Sequence, residues 1–380
     1  MAWSQLIQTA IAMRRELHKT PELCWQEVAT SAFIGKRLDQ LGIAWRRCAK
    51  TGIVAQVAQS RTGDHLALRA DMDGLLLEEA GNAPWKSTVV GCMHGCGHDG
   101  HMAAMLAAAE WLKKHEAALP GPVSFLFQPA EEGGHGAREM IADGALEGVD
   151  KIFGWHNWPS LPFGRAVCPA GPVMAANAGF QIVIKGSGGH ASQPELCRDP
   201  VLAAAAVTLG LQQIVSRRLP PQQAGVVSVT SIDARSAATV IPDQAVLAGS
   251  ARMETTGDLQ LIGELIKSTS QSIATAYNVT ADVEYTLRYP AVINDPIQAV
   301  VFQDVLKEVL GECWRHRETR LPLMASEDFS YYLEKVPGAF AIIGAGDDGL
   351  FAIPCHNSRY VFNDNLIEPM VHVMIRLAGC

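Results

Sequence analysis

Apolar positions recur at two different spacings along this chain, and their alternation sets the expected architecture. Leu6, Ile7, Ala10 and Ile11 repeat at helical spacing, so residues 4–18 are expected as an amphipathic helix and 25–41 as a second. Short apolar runs at 52–58, 65–70 and 122–128, bounded by Gly, Pro and Asp, read as strands. The Ala-, Met- and Leu-rich stretch 100–116 predicts a helix, and the run 151–155 predicts a strand that ends at His156. Strands alternating with helices describe an α/β domain whose functional residues gather at the carboxyl edge of its sheet.

The middle of the chain has another rhythm. Strands are expected at 179–185, 226–232, 245–252 and 279–287, with helices at 198–217 and 257–276. That β-α-β-β-α-β order is the ferredoxin-like unit, which can close a four-stranded antiparallel sheet by itself. Residues 178–288 are therefore expected as an α+β domain inserted into a first domain made of 1–177 and 289–380. A helix near 296–310, a strand at 339–343 and a helix from about 364 complete the expected elements.

Composition narrows the function classes. Hydrophobic residues make up 48% and charged ones 18%, which describes a packed globular chain. A net charge of −8 and the lack of any Lys/Arg run exclude a phosphate-tracking groove, so no nucleic-acid partner is expected. Apolar stretches fall short of the ~20 residues needed to cross a bilayer, and no basic stretch precedes an apolar run at the start. Nine scattered cysteines with no dense spacing suit reduced thiols rather than a disulfide framework. A cytoplasmic protein with no membrane partner is expected.

The chemistry concentrates in one stretch. Residues 93–101 read Met-His-Gly-Cys-Gly-His-Asp-Gly-His and hold three of the chain's 12 histidines; Glu131-Glu132 follows the predicted strand at 122–128. Two divalent ions working together need several protein ligands and a bridging group. Cys96, His98, Glu132, His156 and His356 could supply them, each beside glycines or at the end of an element. A thiolate bridges metals well, because coordination removes its proton. In the Glu-Glu pair, one carboxylate can coordinate while its neighbour shuttles a proton. Asp71 and Asp73 follow the strand at 65–70, where either could orient a ligating imidazole or simply cap a turn. His190, in the glycine-rich turn 186–192, is a candidate donor to a developing oxyanion. His18, His65, His115, His316 and His372 read as surface or packing residues.

These residues carry a resemblance. Arg69-Ala-Asp-Met-Asp-Gly74, the 93–101 motif, Gln128-Pro-Ala-Glu-Glu-Gly133, Gly154-Trp-His-Asn-Trp-Pro159, Gly188-Gly-His-Ala-Ser192, Ser326-Glu-Asp-Phe329 and Cys355-His-Asn357 stand in this order. Together they resemble the aminoacylase and hippurate hydrolase branch of the dinuclear zinc-peptidase superfamily, which also holds carboxypeptidases. The resemblance implies a zinc-peptidase-like catalytic domain with a ferredoxin-like lid that mediates a homodimer or larger homo-oligomer. It implies two divalent metal ions per subunit, with Cys96 bridging, His98 and His156 on one ion, and Glu132 and His356 on the other. Glu131 becomes the general base, His190 reaches a neighbouring subunit's site, and Arg252 meets the substrate carboxylate. The chain departs from the family pattern at Thr239, where asparagine is usual, at His135, where glycine is usual, and in the extra thiol of Cys92.

The reaction expected is hydrolysis of the amide of a small N-acyl amino acid, by hydroxide held between two metals with Glu131 as general base. Mixed sulfur, nitrogen and oxygen donors suit zinc, manganese, cobalt or nickel. A dipeptidase or carboxypeptidase is the nearest alternative, since those substrates also place a carboxylate beside the scissile amide. A cysteine hydrolase using Cys96 and His98 would leave the Glu-Glu pair idle. A binding protein that retains the scaffold without turnover is the non-enzyme alternative.

Overall fold

The computed structural model describes residues 2–380. The chain divides into two compact units, one of Met1–Gly171, Ile293–Thr319 and Asp328–Cys380, the other of Pro172–Val292 with Arg320–Glu327. Both combine helices and sheet, a mixed α/β architecture. Among the described residues, no helix is long and apolar enough to cross a membrane.

The first unit is built on a seven-stranded sheet. Its order runs Ala44–Cys48, Gly52–Val57, Val123–Gln128, Leu66–Asp71, Lys151–Pro162, Gly338–Gly346, Ala166–Val167. The middle four strands are parallel, and the flanking ones pair antiparallel to them. Every residue of Leu66–Asp71, Val123–Gln128 and Gly338–Gly346 is buried, as central parallel strands covered on both faces must be. The helix His98–Lys114 is buried nearly all round, which its alanines allow; it packs on the sheet and against Trp3–Lys19 and Ile367–Leu377.

Two boundaries differ from expectation, and both concern the functional residues. The helix expected from Gly100 begins at His98, because Gly97 takes a left-handed turn (φ 92°) directly before it. The strand expected to end at His156 runs on to Pro162. Its pairing with Leu66–Asp71 stops at Gly154, while its pairing with Gly338–Gly346 continues through His156. One partner keeps the strand going past the carboxyl end of the other, so His156 stands at the sheet edge from within a strand.

The second unit holds a four-stranded antiparallel sheet in the order Gly225–Asp233, Gln244–Met253, Ala176–Lys185, Thr280–Leu287. In chain order that is 2-3-1-4, read from one edge, with the helices Pro200–Gln213 and Thr256–Ala276 as the two crossovers. A separate apolar cluster, including Phe180, Ile182, Leu211, Leu247 and Ile266, forms its core.

Candidate metal centre

The Cys96–His98 segment is held from several sides. Asn157 Nδ2 donates to Cys96 O at 2.7 Å, and the Tyr360 hydroxyl donates to Asn157 Oδ1 at 2.7 Å. A Cβ at Gly97 would lie 2.5 Å from both Asn157 Nδ2 and Tyr360 Oη, so only glycine lets the chain turn here against those two side chains. Neither Asn157 nor Tyr360 was singled out from sequence. Asn157 directly follows His156 in its motif, and that adjacency was the available signal.

Each imidazole has one nitrogen fixed and one presented. His98 Nδ1 donates to Asp73 O at 2.9 Å, with Asp73 Oδ1 at 3.3 Å; its Nε2 is buried and has no hydrogen-bond partner among the described residues. His156 Nδ1 donates to Asn157 O at 2.6 Å, while its Nε2 lies 3.3 Å from Cys96 Sγ. His356, in a left-handed backbone conformation (φ 64°), places Nε2 at 3.1 Å from Glu132 Oε1. Asp73 Oδ2 accepts from the Glu132 amide at 2.9 Å, so one buried carboxylate braces both His98 and the Glu131-Glu132 turn. That turn leaves the strand Val123–Gln128 through Ala130, whose φ is 57° and whose amide donates to Glu27.

Donor atoms of Cys96, His98 and His156 lie within 4.8 Å of one another, and so do those of Cys96, Glu132 and His356. The two sets share one atom, the Cys96 sulfur. His98, Glu131 and Glu132 form a third such group, so the Glu131 carboxylate stands beside both sets. Asp71, His101 and His156 are equally close, but hydrogen bonds already engage this group. His101 Nδ1 meets Asp71 Oδ1 at 2.6 Å, Asp71 Oδ2 takes Arg69 Nη1 at 2.6 Å, and His101 Nε2 accepts from Asn157. Asp71 thus orients His101, an imidazole that sequence reasoning left without a role, while Asp73 lies on His98.

The charges suit cations. Burial opposes protonation of His98, yet Asp71, Asp73 and Glu132 together push it up to about 10. Burial and the neighbouring imidazoles keep His156 neutral, well below the usual histidine range. Burial disfavours the Glu132 carboxylate, but the bond from His356 and the charge of His98 hold it ionised. The Cys96 thiol is held protonated by the Cys355 thiol, by burial and by the carboxylates of Glu132 and Glu131. A buried imidazole nitrogen without a hydrogen-bond partner, and sulfur, nitrogen and oxygen donors converging in two sets, fit a pair of borderline divalent ions.

Behind the first turn of the helix lies a second buried polar group. Asp99 meets His18 Nδ1 at 2.8 Å and Arg14 Nη1 at 3.4 Å, and His18 Nε2 lies 3.4 Å from Glu79. His18 is therefore a buried, charged residue rather than a surface one: burial lowers its pKa, but Asp99 and Glu79 outweigh that and raise it to about 9.

In the second unit, His190 is exposed on the two-residue strand Gly189–His190, and its Nδ1 accepts from the Ser192 hydroxyl at 2.8 Å. Arg252 is half-buried; its Nη1 donates to Met324 O at 2.8 Å and to Ser326 Oγ at 2.9 Å.

A model of peptidase family M20/M25/M40 matches residues 67–379, which span every residue of both donor sets. The chain belongs to that family. Among its M20 relatives, the N-acetyl-L-cysteine deacetylase of Bacillus subtilis is 38% identical over 91% of this chain and 82% of its own length. The hippurate hydrolase of Campylobacter jejuni is 36% identical over 96% of this chain and 94% of its own. Among solved structures, the Bacillus subtilis YXEP protein, a dinuclear metal-binding peptidase from the M20 family, superposes with a TM-score of 0.85 at 33% identity. That match covers 99% of this chain and 98% of that one.

Three departures of this M20 chain from the family pattern now have a local setting. His135 sits at φ 59°, a left-handed position that favours glycine, and its ring bonds the Tyr331 hydroxyl at 2.9 Å. Thr239 contributes its carbonyl, which accepts from the Ala191 amide at 2.9 Å, and that backbone bond survives any side chain. Cys92 is buried, with its thiol pushed up to about 11 by burial and the charges of Glu22 and Asp73.

Proposed function

We propose that this chain is a metal-dependent amidohydrolase that cleaves the amide bond of small N-acyl amino acids. The observation that carries the reading is the pair of donor sets joined at Cys96, with the buried Glu131 carboxylate beside them. Relatives named for N-acetylcysteine and hippurate support the substrate class.

In this reading Cys96, His98 and His156 hold one divalent ion, and Cys96, Glu132 and His356 hold the other, as zinc, manganese, cobalt or nickel. When bound, such a pair polarises a carbonyl and makes water acidic enough to attack near neutral pH. Glu131 accepts the proton of the attacking water and returns it to the amine nitrogen as the carbon–nitrogen bond breaks. Asp73 fixes the His98 ring and the Glu132 amide, keeping the donor atoms in place. His190, exposed on its short strand, donates to the developing oxyanion of a neighbouring subunit, and Arg252 meets the substrate carboxylate. A homodimer through the Pro172–Val292 unit, acting as a lid, draws support from exposed Leu202 and Leu209 on one helix. A cytoplasmic setting draws support from nine free cysteines.

The test is turnover of a panel of N-acetyl and N-benzoyl amino acids, with dipeptides alongside, by the wild type and Glu131→Gln with added manganese or zinc. A loss of roughly 10²–10⁴-fold in kcat, with metal content unchanged, is expected. Turnover that survives in the variant removes Glu131 from the base role. Turnover confined to dipeptides replaces the acyl-amino-acid reading with a dipeptidase.

A further inference from the structure

The cysteine common to both donor sets has a second thiol beside it. Cys355 precedes His356, and the two run alongside Gly95 and Cys96. The His356 amide donates to Gly95 O at 2.8 Å, and the Cys355 thiol donates to Cys96 O at 3.8 Å. A disulfide needs Cα atoms about 4.4–6.8 Å apart. The backbone bond between the residues adjoining the two cysteines, with the Cys355 sulfur 3.8 Å from the Cys96 carbonyl oxygen, sets the two cysteines side by side. Cys96 is 7% exposed, whereas Cys355 is partly open to solvent. An oxidant therefore reaches Cys355 first and finds Cys96 behind it.

We propose that Cys96 and Cys355 are a modification site, closing into an intramolecular disulfide when hydrogen peroxide meets the metal-free protein. The consequence rests on the reading of Cys96 as the donor shared by two metals. In the first step the Cys355 sulfur attacks one peroxide oxygen; the S–O bond forms, the O–O bond breaks and water leaves with the thiol proton. In the second, the Cys96 sulfur attacks the resulting sulfenic acid; the S–S bond forms, the S–O bond breaks and a second water leaves. Two thiols lose two electrons and two hydrogens, and one peroxide becomes two waters. The bond withdraws from both donor sets their common atom, so the oxidised chain cannot reload until a thiol reductant reopens it. Bound metal, by occupying the Cys96 sulfur, protects the pair.

The experiment begins by measuring metal content in the reduced, full-length wild type. Chelator-stripped and metal-loaded samples are then treated with hydrogen peroxide, blocked with an alkylating agent, digested and mapped by mass spectrometry. The expected result is a cross-linked Cys96–Cys355 peptide in the stripped sample, at least ~10-fold depleted in the loaded one and reversed by a thiol reductant. The reduced Cys355→Ser protein should bind metal as the wild type does, yet rebind it after peroxide treatment more completely than oxidised wild type. Absence of the cross-link in stripped wild type, with Cys96 overoxidised or joined to another cysteine, overturns the proposal; this arm needs no variant and no activity. Reduced wild type without metal overturns the metal reading instead, and the cross-linked peptide still decides the disulfide.

Discussion

Removing the Asp73 carboxylate tests the metal centre at the point where its two halves meet. Asp73 Oδ1 faces His98 Nδ1 at 3.3 Å, and Oδ2 accepts from the Glu132 amide at 2.9 Å. Asp73→Ala therefore removes the charge beside His98, whose Nδ1 keeps its bond to the residue-73 carbonyl, and leaves the Glu132 amide without its acceptor. Carboxylates that orient ligating imidazoles are worth on the order of 10–100-fold in metal affinity, or roughly 1.4–2.7 kcal/mol. The unsatisfied Glu132 amide costs a further ~1–3 kcal/mol if it stays buried, and the turn shifts to avoid that cost. Both effects weaken metal binding, so Asp73→Ala should lie toward the 100-fold end. Asp73→Asn, which keeps an acceptor but not the charge, should lie near 10-fold. The assay is competition for zinc against a chromophoric chelator, on stripped and reduced protein. An affinity for Asp73→Ala within about threefold of wild type would refute the bracing argument.

Other consequences can be checked independently. Gly97→Ala forces a side chain into a left-handed turn against Asn157 and Tyr360; strain of ~1–2 kcal/mol plus one lost hydrogen bond makes a destabilisation of about 3 kcal/mol, read from urea unfolding. An unchanged midpoint would show that the turn is not constrained. Because the folded-state pKa of His18 is raised to about 9, its contribution is complete below the free-histidine value of about 6.5 and lost as pH rises through 9. His18→Gln should remove up to ~3 kcal/mol below pH 6.5 and flatten the stability profile between pH 6.5 and 9, and parallel profiles would sink the argument. Arg252→Ala should raise KM by roughly 10–100-fold with kcat little changed, whereas a lower melting temperature with unchanged KM would make its bonds to Met324 and Ser326 purely structural.

Much of this architecture was legible because its signals are local. The apolar runs at 65–70 and 122–128 lie within one residue of the strands Leu66–Asp71 and Val123–Gln128. The β-α-β-β-α-β order of the second unit could be read from hydrophobic periods alone. Pieces that depend on distant partners were not legible. Ala166–Val167 is too short to carry a period and exists because Gly338–Gly346 pairs with it. Gly136–Ala142 is a single short helix that starts after His135, a left-handed residue with no glycine to signal the turn. The donor residues stood out by type and spacing. The supporting bonds of Asn157, Tyr360 and His101 join segments far apart in the chain, and no local pattern announces them.

The place of Gly338–Gly346 in the sheet has a consequence for how the protein is made. This strand lies between Lys151–Pro162 and Ala166–Val167, so the parallel core stays open on one side until the chain has been synthesised past Gly346. All of Pro172–Val292 emerges earlier, with its four strands and its own apolar core contiguous in sequence. On a ribosome the second unit can close while Lys151–Pro162 still exposes an unpaired, mostly apolar edge. Non-local pairing of this kind is slow, because loop-closure entropy is lost before any contact repays it. Chains that stop short of Gly338 should therefore collect as aggregates with an intact second unit, and a chaperone that shields the Lys151–Pro162 edge should raise the yield of the full-length protein.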